Sequence, residues 1–187
     1  SESILQRYTK FSFARLVAKK LLSIGLRPIN ALVDITNFIT MDLGRPLHVF
    51  DADKIGNKLN MRLSNDQEKL LALDNKEYSL NDPTTVIADS KNPLAIAGII
   101  GGNDSGCTLE TKNVFLEVAA FNPSMVAKTG RKLGINSDAR YRFERGLDLE
   151  MVNEGLNYAT SLIQDICGGS FSKTVHAGDL DLNKKTI

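Results

Sequence analysis

The sequence predicts an α+β domain, a mixed sheet or sandwich core flanked by helices, on three observations. Helix-period apolar spacing opens and closes the chain, a two-residue period fills its middle, and no regular alternation of strand and helix links them. The 187 residues are 42% hydrophobic and 24% charged, enough for one compact core.

Leu16, Val17, Leu21 and Leu22, with lysines between them, predict a first amphipathic helix over residues 13–24, stopped by Gly25. Leu32, Ile35, Phe38, Ile39 and Leu43 recur at three and four residues and predict a second. Asn30 is its candidate N-cap, and Gly44 and Pro46 end it. Leu59, Met61 and Leu63 alternate with polar residues, and residues 71–73 join 78–80 through Asp74-Asn75, the pattern of a strand and a hairpin. Further strands are predicted at 85–88, 94–100 and 114–121, apolar throughout as strands covered on both faces would be. Asn122-Pro123 opens a third helix that Gly134 closes. Asp148 is a candidate cap for a last helix through Val152, Leu156, Ala159, Ile163 and Ile166, stopped by Gly168-Gly169.

Composition narrows the function classes. Lysine and arginine number 23 against 22 acids, so the net charge of +1 gives no global attraction to nucleic acid or membrane. No apolar run approaches the roughly 20 residues of a membrane span, and no secretory leader pattern is present. A cytoplasmic protein is expected. Cys107 and Cys167 are far apart and lack histidines at ligand spacing, so both read as structural thiols and no metal site is expected. Ser1 is no initiator Met and Lys184-Lys185 no natural stop, so a piece of a longer protein is expected.

Four features could carry chemistry. His48 follows a Gly-Arg-Pro-Leu turn and reads either as a satisfied buried histidine or as a catalytic group. The glycines between Ala97 and Gly106 fit neither phosphate-loop pattern; they mark a bending strand, or room for a ligand at Gly98 and Gly101. Glu117 lies in an apolar strand, where it needs an arginine such as Arg142 or Arg145, or else awaits a ligand hydroxyl. Residues 128–145 carry six basic groups against Asp138 and Glu144, a solvated face or a nucleic-acid contact, with Tyr141 and Phe143 assigned to the core.

Four motifs resemble the B3/B4 region of bacterial phenylalanyl-tRNA synthetase β subunits. They are Arg27-Pro-Ile-Asn-Ala-Leu-Val-Asp-Ile-Thr-Asn-Phe, Gly44-Arg-Pro-Leu-His-Val-Phe-Asp, Leu94-Ala-Ile-Ala-Gly-Ile-Ile-Gly-Gly and Ser137-Asp-Ala-Arg-Tyr-Arg-Phe-Glu-Arg-Gly. Their order and intervals agree with that family from about Gly25 to Gly169. The resemblance implies an editing domain over 13–170, with linkers at 1–12 and 171–187, that hydrolyses tyrosine wrongly esterified to tRNA(Phe). It implies His48, Asn37, Thr36 and Arg27 as catalytic residues and Glu117, Gly98, Gly101, Ser137 and Ala139 as substrate-binding ones. Ser137 departs from the Thr frequent at that place in the family, keeping the hydroxyl and losing a methyl. The implied partners are the tRNA(Phe) 3′ end, the synthetase α subunit and the remaining β-subunit domains in an α₂β₂ heterotetramer. The fragment itself needs no cofactor; ATP and Mg²⁺ belong to the parent ligase. The rival reading is a non-catalytic module that guides the tRNA or braces the synthetase.

Overall fold

The computed structural model describes residues 4–56 and 58–178, with side chains from Phe13 onward. Residues 1–3 and 179–187, the ends of the two expected linkers, lie outside the described residues. Five helices and eight strands follow one another: α1 (Ile4–Ser23), α2 (Ala31–Asp42), β1 (His48–Asp51), β2 (Asn60–Leu63), β3 (Lys69–Leu71), β4 (Glu77–Ser79), β5 (Thr85–Ala88), β6 (Pro93–Ile96), β7 (Ile100–Gly101), β8 (Val114–Glu117), α3 (Pro123–Leu133), α4 (Asp138–Phe143) and α5 (Met151–Cys167). The α+β class holds. Pairing among these strands is antiparallel throughout, in a four-stranded sheet of order β2-β5-β6-β7 and two ribbons, β1-β8 and β3-β4.

Local chemistry sets the helix ends. The Asn30 side chain accepts a hydrogen bond from the Val33 N–H and opens α2; Asn122 does the same for Met125 and opens α3, with Pro123 in the first turn. Gly134, at φ +66°, closes α3 in the left-handed conformation that costs glycine nothing. Asn75 takes a positive φ of 61° in the β3–β4 turn, as the Asp-Asn pair predicts. Three expectations shift. The first helix begins at Ile4 rather than near Phe13, the apolar run 94–100 breaks into β6 and β7 around a turn at Gly98, and β8 stops at Glu117. Asp148 caps no helix by side chain at the first turn of α5; its carboxylate accepts from the Glu150 N–H just before it.

Two layers result. Val17 and Leu21 of α1, Ile35, Phe38 and Ile39 of α2, and Ala159 and Leu162 of α5 form a helical core. Leu70, Val86, Ile96 and Ile99 of the sheet region pack on Val126, Ile135 and Phe143 to form the second. β5 and β6 are covered as their apolar sequences predict, whereas β8 is not. Phe115 remains 43% exposed, because a two-stranded ribbon leaves a face open.

Arg45 joins the layers. Only 2% exposed, it donates from Nη1 to the Ala119 carbonyl at 3.2 Å and from Nη2 to the Asp148 carbonyl, while Nε has no partner. Its stem passes over Gly155 of α5, where a built Cβ would stand 3.0 Å from the Arg45 Cδ. Arg45→Ala is expected to lower unfolding stability by on the order of 3–5 kcal/mol, through two orphaned carbonyls and a cavity. Arg45→Met, which keeps the stem and removes the buried charge, should lose less. Urea unfolding midpoints of the two variants check the order.

Candidate functional site

β1 starts at His48 and β8 ends at Glu117, and the two residues are direct partners in the antiparallel register. Such partners present their side chains on the same face. That face forms one wall of a cavity of about 260 Å³. Asn37 of α2 contributes a second wall, Gly98 and Gly101 a third, and Ser137 and Ala139 at the start of α4 a fourth. Seven of the nine residues expected at the site therefore meet in one place. Thr36 and Arg27 do not. Thr36 is buried outside the lining, its hydroxyl donating to the Val33 carbonyl at 2.8 Å, and Arg27 is exposed before the helix.

Both central glycines are steric requirements. A Cβ at Gly101 would lie 2.4 Å from His48 Cε1 and 2.8 Å from Nε2, so the imidazole occupies the space a side chain would fill. Gly98 takes a φ of +69°, and a Cβ there would lie 2.8 Å from the Phe121 ring.

The polar groups lining the cavity have little internal company. Neither hydrogen bond nor ion pair engages the Glu117 carboxylate among the described residues. The arginines that might have paired with it are committed elsewhere: Arg142 to Asp138 at 3.0 Å and Arg145 to Glu144 at 3.0 Å. The cavity leaves His48 and Glu117 half-buried, yet protein surrounds them on every other side and desolvation dominates. It pushes Glu117 up to about 7 and His48 down to about 4. His48 Nε2 is buried without a partner, and the ring stands edge-on to Phe50 with centroids 4.4 Å apart. The histidine is thus neither satisfied nor paired.

Ser137 has a different task. Its hydroxyl donates to the Ile99 carbonyl at 2.6 Å and accepts from the Arg140 N–H, tying the cap of α4 to the turn between β6 and β7. Four of the six residues of the basic run are paired, while Lys128 and Arg131 are exposed. Arg140 pairs with Glu144 and lies in the notch left by Gly130, Lys132 pairs with Asp82, and Arg142 also reaches Met41 Sδ. Among the described residues no three His, Cys, Asp or Glu side chains gather as metal ligands, and no helix is long and apolar enough to cross a membrane.

Sequence reasoning missed Pro46, Leu73, Phe121, Asp138 and Phe143, which also line the cavity, as do apolar residues of β5, β6 and the turn to β7. A Ser-Asp pair at 137–138 was a readable helix start. Leu73 and Phe121 carry no local signal, since only the tertiary fold brings them there.

A family model described as B3/4 domain matches residues 8–168. The phenylalanine–tRNA ligase beta subunit of Brucella suis biovar 1 (strain 1330) is 56% identical over 151 residues, 81% of this chain and 19% of that protein. The corresponding subunit of Bradyrhizobium diazoefficiens is 55% identical over 160 residues, 86% of this chain and 20% of that one. The chain spans about a fifth of the length of these curated relatives. Among solved structures, an N-terminal fragment of the phenylalanyl-tRNA synthetase beta-subunit from Pyrococcus horikoshii superposes with a TM-score of 0.52 at 19% identity, over 73% of this chain and 40% of that one. At that identity the likeness bears on the fold alone. With a family match over most of its length and the same α+β architecture in a solved relative, this chain belongs to the B3/4 domain family.

Proposed function

We propose that this domain is the editing module of a phenylalanine–tRNA ligase and hydrolyses tyrosine wrongly esterified to tRNA(Phe). The observation that supports it is Glu117, a desolvated acceptor with no partner among the described residues, on the wall of a largely apolar cavity sized for one side chain. Phenylalanine and tyrosine differ by a single hydroxyl. An apolar pocket rejects an added hydroxyl weakly, whereas a site that hydrogen-bonds it discriminates far better, because the analogue lacking it leaves a buried acceptor unpaired. On this reading the phenol donates to Glu117, and its ring lies against the bare backbone of Gly98 and Gly101 and beside Ala139.

The ester then faces the helix side. Water adds to the activated carbonyl, the carbon–oxygen bond to the terminal ribose breaks, and the ribose hydroxyl leaves with a proton as tyrosine is released. His48, neutral across the physiological range, orients that water or takes its proton. The Asn37 amide, on the cavity wall, is the donor for the developing oxyanion. Arg27, exposed and outside the cavity, suits the tRNA backbone better than the ester, and Thr36 shapes α2. Aminoacylation, with its ATP and Mg²⁺, the α subunit and a cytoplasmic heterotetramer are attributes of the complete ligase on this reading.

Deacylation of tyrosyl- and phenylalanyl-tRNA(Phe) by the complete enzyme tests it. Selective loss of tyrosine is expected; tRNA binding without deacylation would favour a guiding module instead. His48→Ala is expected to slow tyrosyl-tRNA deacylation 10²-fold or more, by the usual worth of a positioned base. An unchanged rate removes His48 from the mechanism.

The pH dependence has a definite sign. Glu117 accepts best when ionised, so the tyrosine-over-phenylalanine deacylation ratio should rise about tenfold as pH climbs through about 7, the difference between a charged and a neutral acceptor. Glu117→Gln should flatten that rise, and single-turnover rates between pH 6 and 8 in the two proteins check it.

A further inference from the structure

Phe121 stands between two chambers. In front of it lies the cavity with His48 and Glu117; behind it lies a second chamber of about 130 Å³, lined among others by Met61, Thr85, Met125 and Val126. Phe121 and Ala97 are the two residues common to both linings. Ala97 is buried and too small to divide them, so the Phe121 ring is the partition.

The ring is held in place. It packs edge-to-face on Phe143 with centroids 4.9 Å apart and an interplanar angle of 65°. Its Cδ2 would be the nearest atom to a Cβ on Gly98, so the glycine that bends the chain also seats the ring. Behind it the two methionines offer an adaptable apolar surface with no fixed shape to defend.

We propose that Phe121 is a specificity-determining residue that fixes the depth of the ring chamber. It limits the site to one aromatic ring, and removing it joins the two chambers and admits a second, fused ring. The inference rests on the assignment of the front cavity to a phenol side chain. Pocket walls of this kind discriminate by one to two orders of magnitude per missing or added carbon.

The test measures binding of phenol and of 2-naphthol to the complete protein, counting only the binding that Ala139→Trp abolishes. Wild type should bind phenol and take 2-naphthol at least tenfold more weakly. Phe121→Ala should raise 2-naphthol affinity at least tenfold with phenol affinity changed less than threefold. Phe121→Leu, which keeps an apolar filler against local collapse, should give an intermediate gain. Adding Met125→Phe to Phe121→Ala refills the rear chamber and should restore the rejection. Unchanged 2-naphthol affinity in both Phe121 variants while phenol still binds overturns the partition, as does a gain that survives Met125→Phe. If wild type shows no Ala139-dependent phenol binding, the phenol assignment itself falls, and the depth argument falls with it.

Discussion

The buried guanidinium of Arg45 is the constraint on which the rest of the arrangement depends. A two-stranded ribbon is marginal by itself, and β1-β8 is such a ribbon, lying between the helical layer and the four-stranded sheet. Arg45 sits three residues before His48 and bonds the carbonyl two residues after Glu117, so it braces the same end of both strands. Its second bond, to the Asp148 carbonyl, and its passage over Gly155 tie that end to the start of α5. Carbonyls rather than carboxylates receive this charge, which is why burial pulls the Arg45 pKa down with only a partial offset from Asp148.

The cavity held open by that brace costs stability at both ends of the pH range. Glu117 ionises near 7 in the folded protein but from its ordinary 4.5 in the unfolded chain, so the unfolded chain loses its proton first and stability falls as pH rises from 4.5 to about 7. His48 runs the other way: the unfolded chain gains a proton below its ordinary 6.5 while the folded protein waits until about 4, so stability falls as pH drops through that window. Neither cost is recovered by a side-chain hydrogen bond or ion pair among the described residues. Unpaired polar groups of this kind are expected where a ligand is to be recognised.

Much of the frame was legible in the sequence because it is written locally. Asn30, Asn122-Pro123 and Gly134 act within four residues of where they stand, and the Asp74-Asn75 hairpin needs only its own turn. What was not legible depends on register and long-range packing. The opposition of His48 and Glu117 follows from pairing strands 69 residues apart in sequence, and nothing near Leu73 or Phe121 announces a cavity wall. Arg45 looked like part of a turn, because a turn arginine and a buried one share the same neighbours in sequence. The basic run of 128–145 shows its ion pairing only in three dimensions, with Lys128 and Arg131 left exposed. Its charges look available in one dimension, but Arg140, Arg142 and Arg145 are spent on α4 and Lys132 on Asp82.

An imidazole opposite a carboxylate would ordinarily close into an ion pair, raising the histidine pKa and lowering that of the acid. Here both shifts have the reverse sign, because burial desolvates both groups, and no ion pair forms between them. The His48 ring lies in the space above the Gly101 backbone, against the β7 side of the cavity. A side chain at 101 would force the ring out of that space, since its Cβ alone would stand 2.4 Å from His48 Cε1. Closing such a pair would satisfy two desolvated groups, gaining stability and removing the acceptor that can distinguish one ring from another. A glycine at 101 therefore does more than leave room for a ligand. Its bare backbone seats the imidazole, and His48 and Glu117 both line the cavity with neither hydrogen bond nor ion pair to their side chains among the described residues.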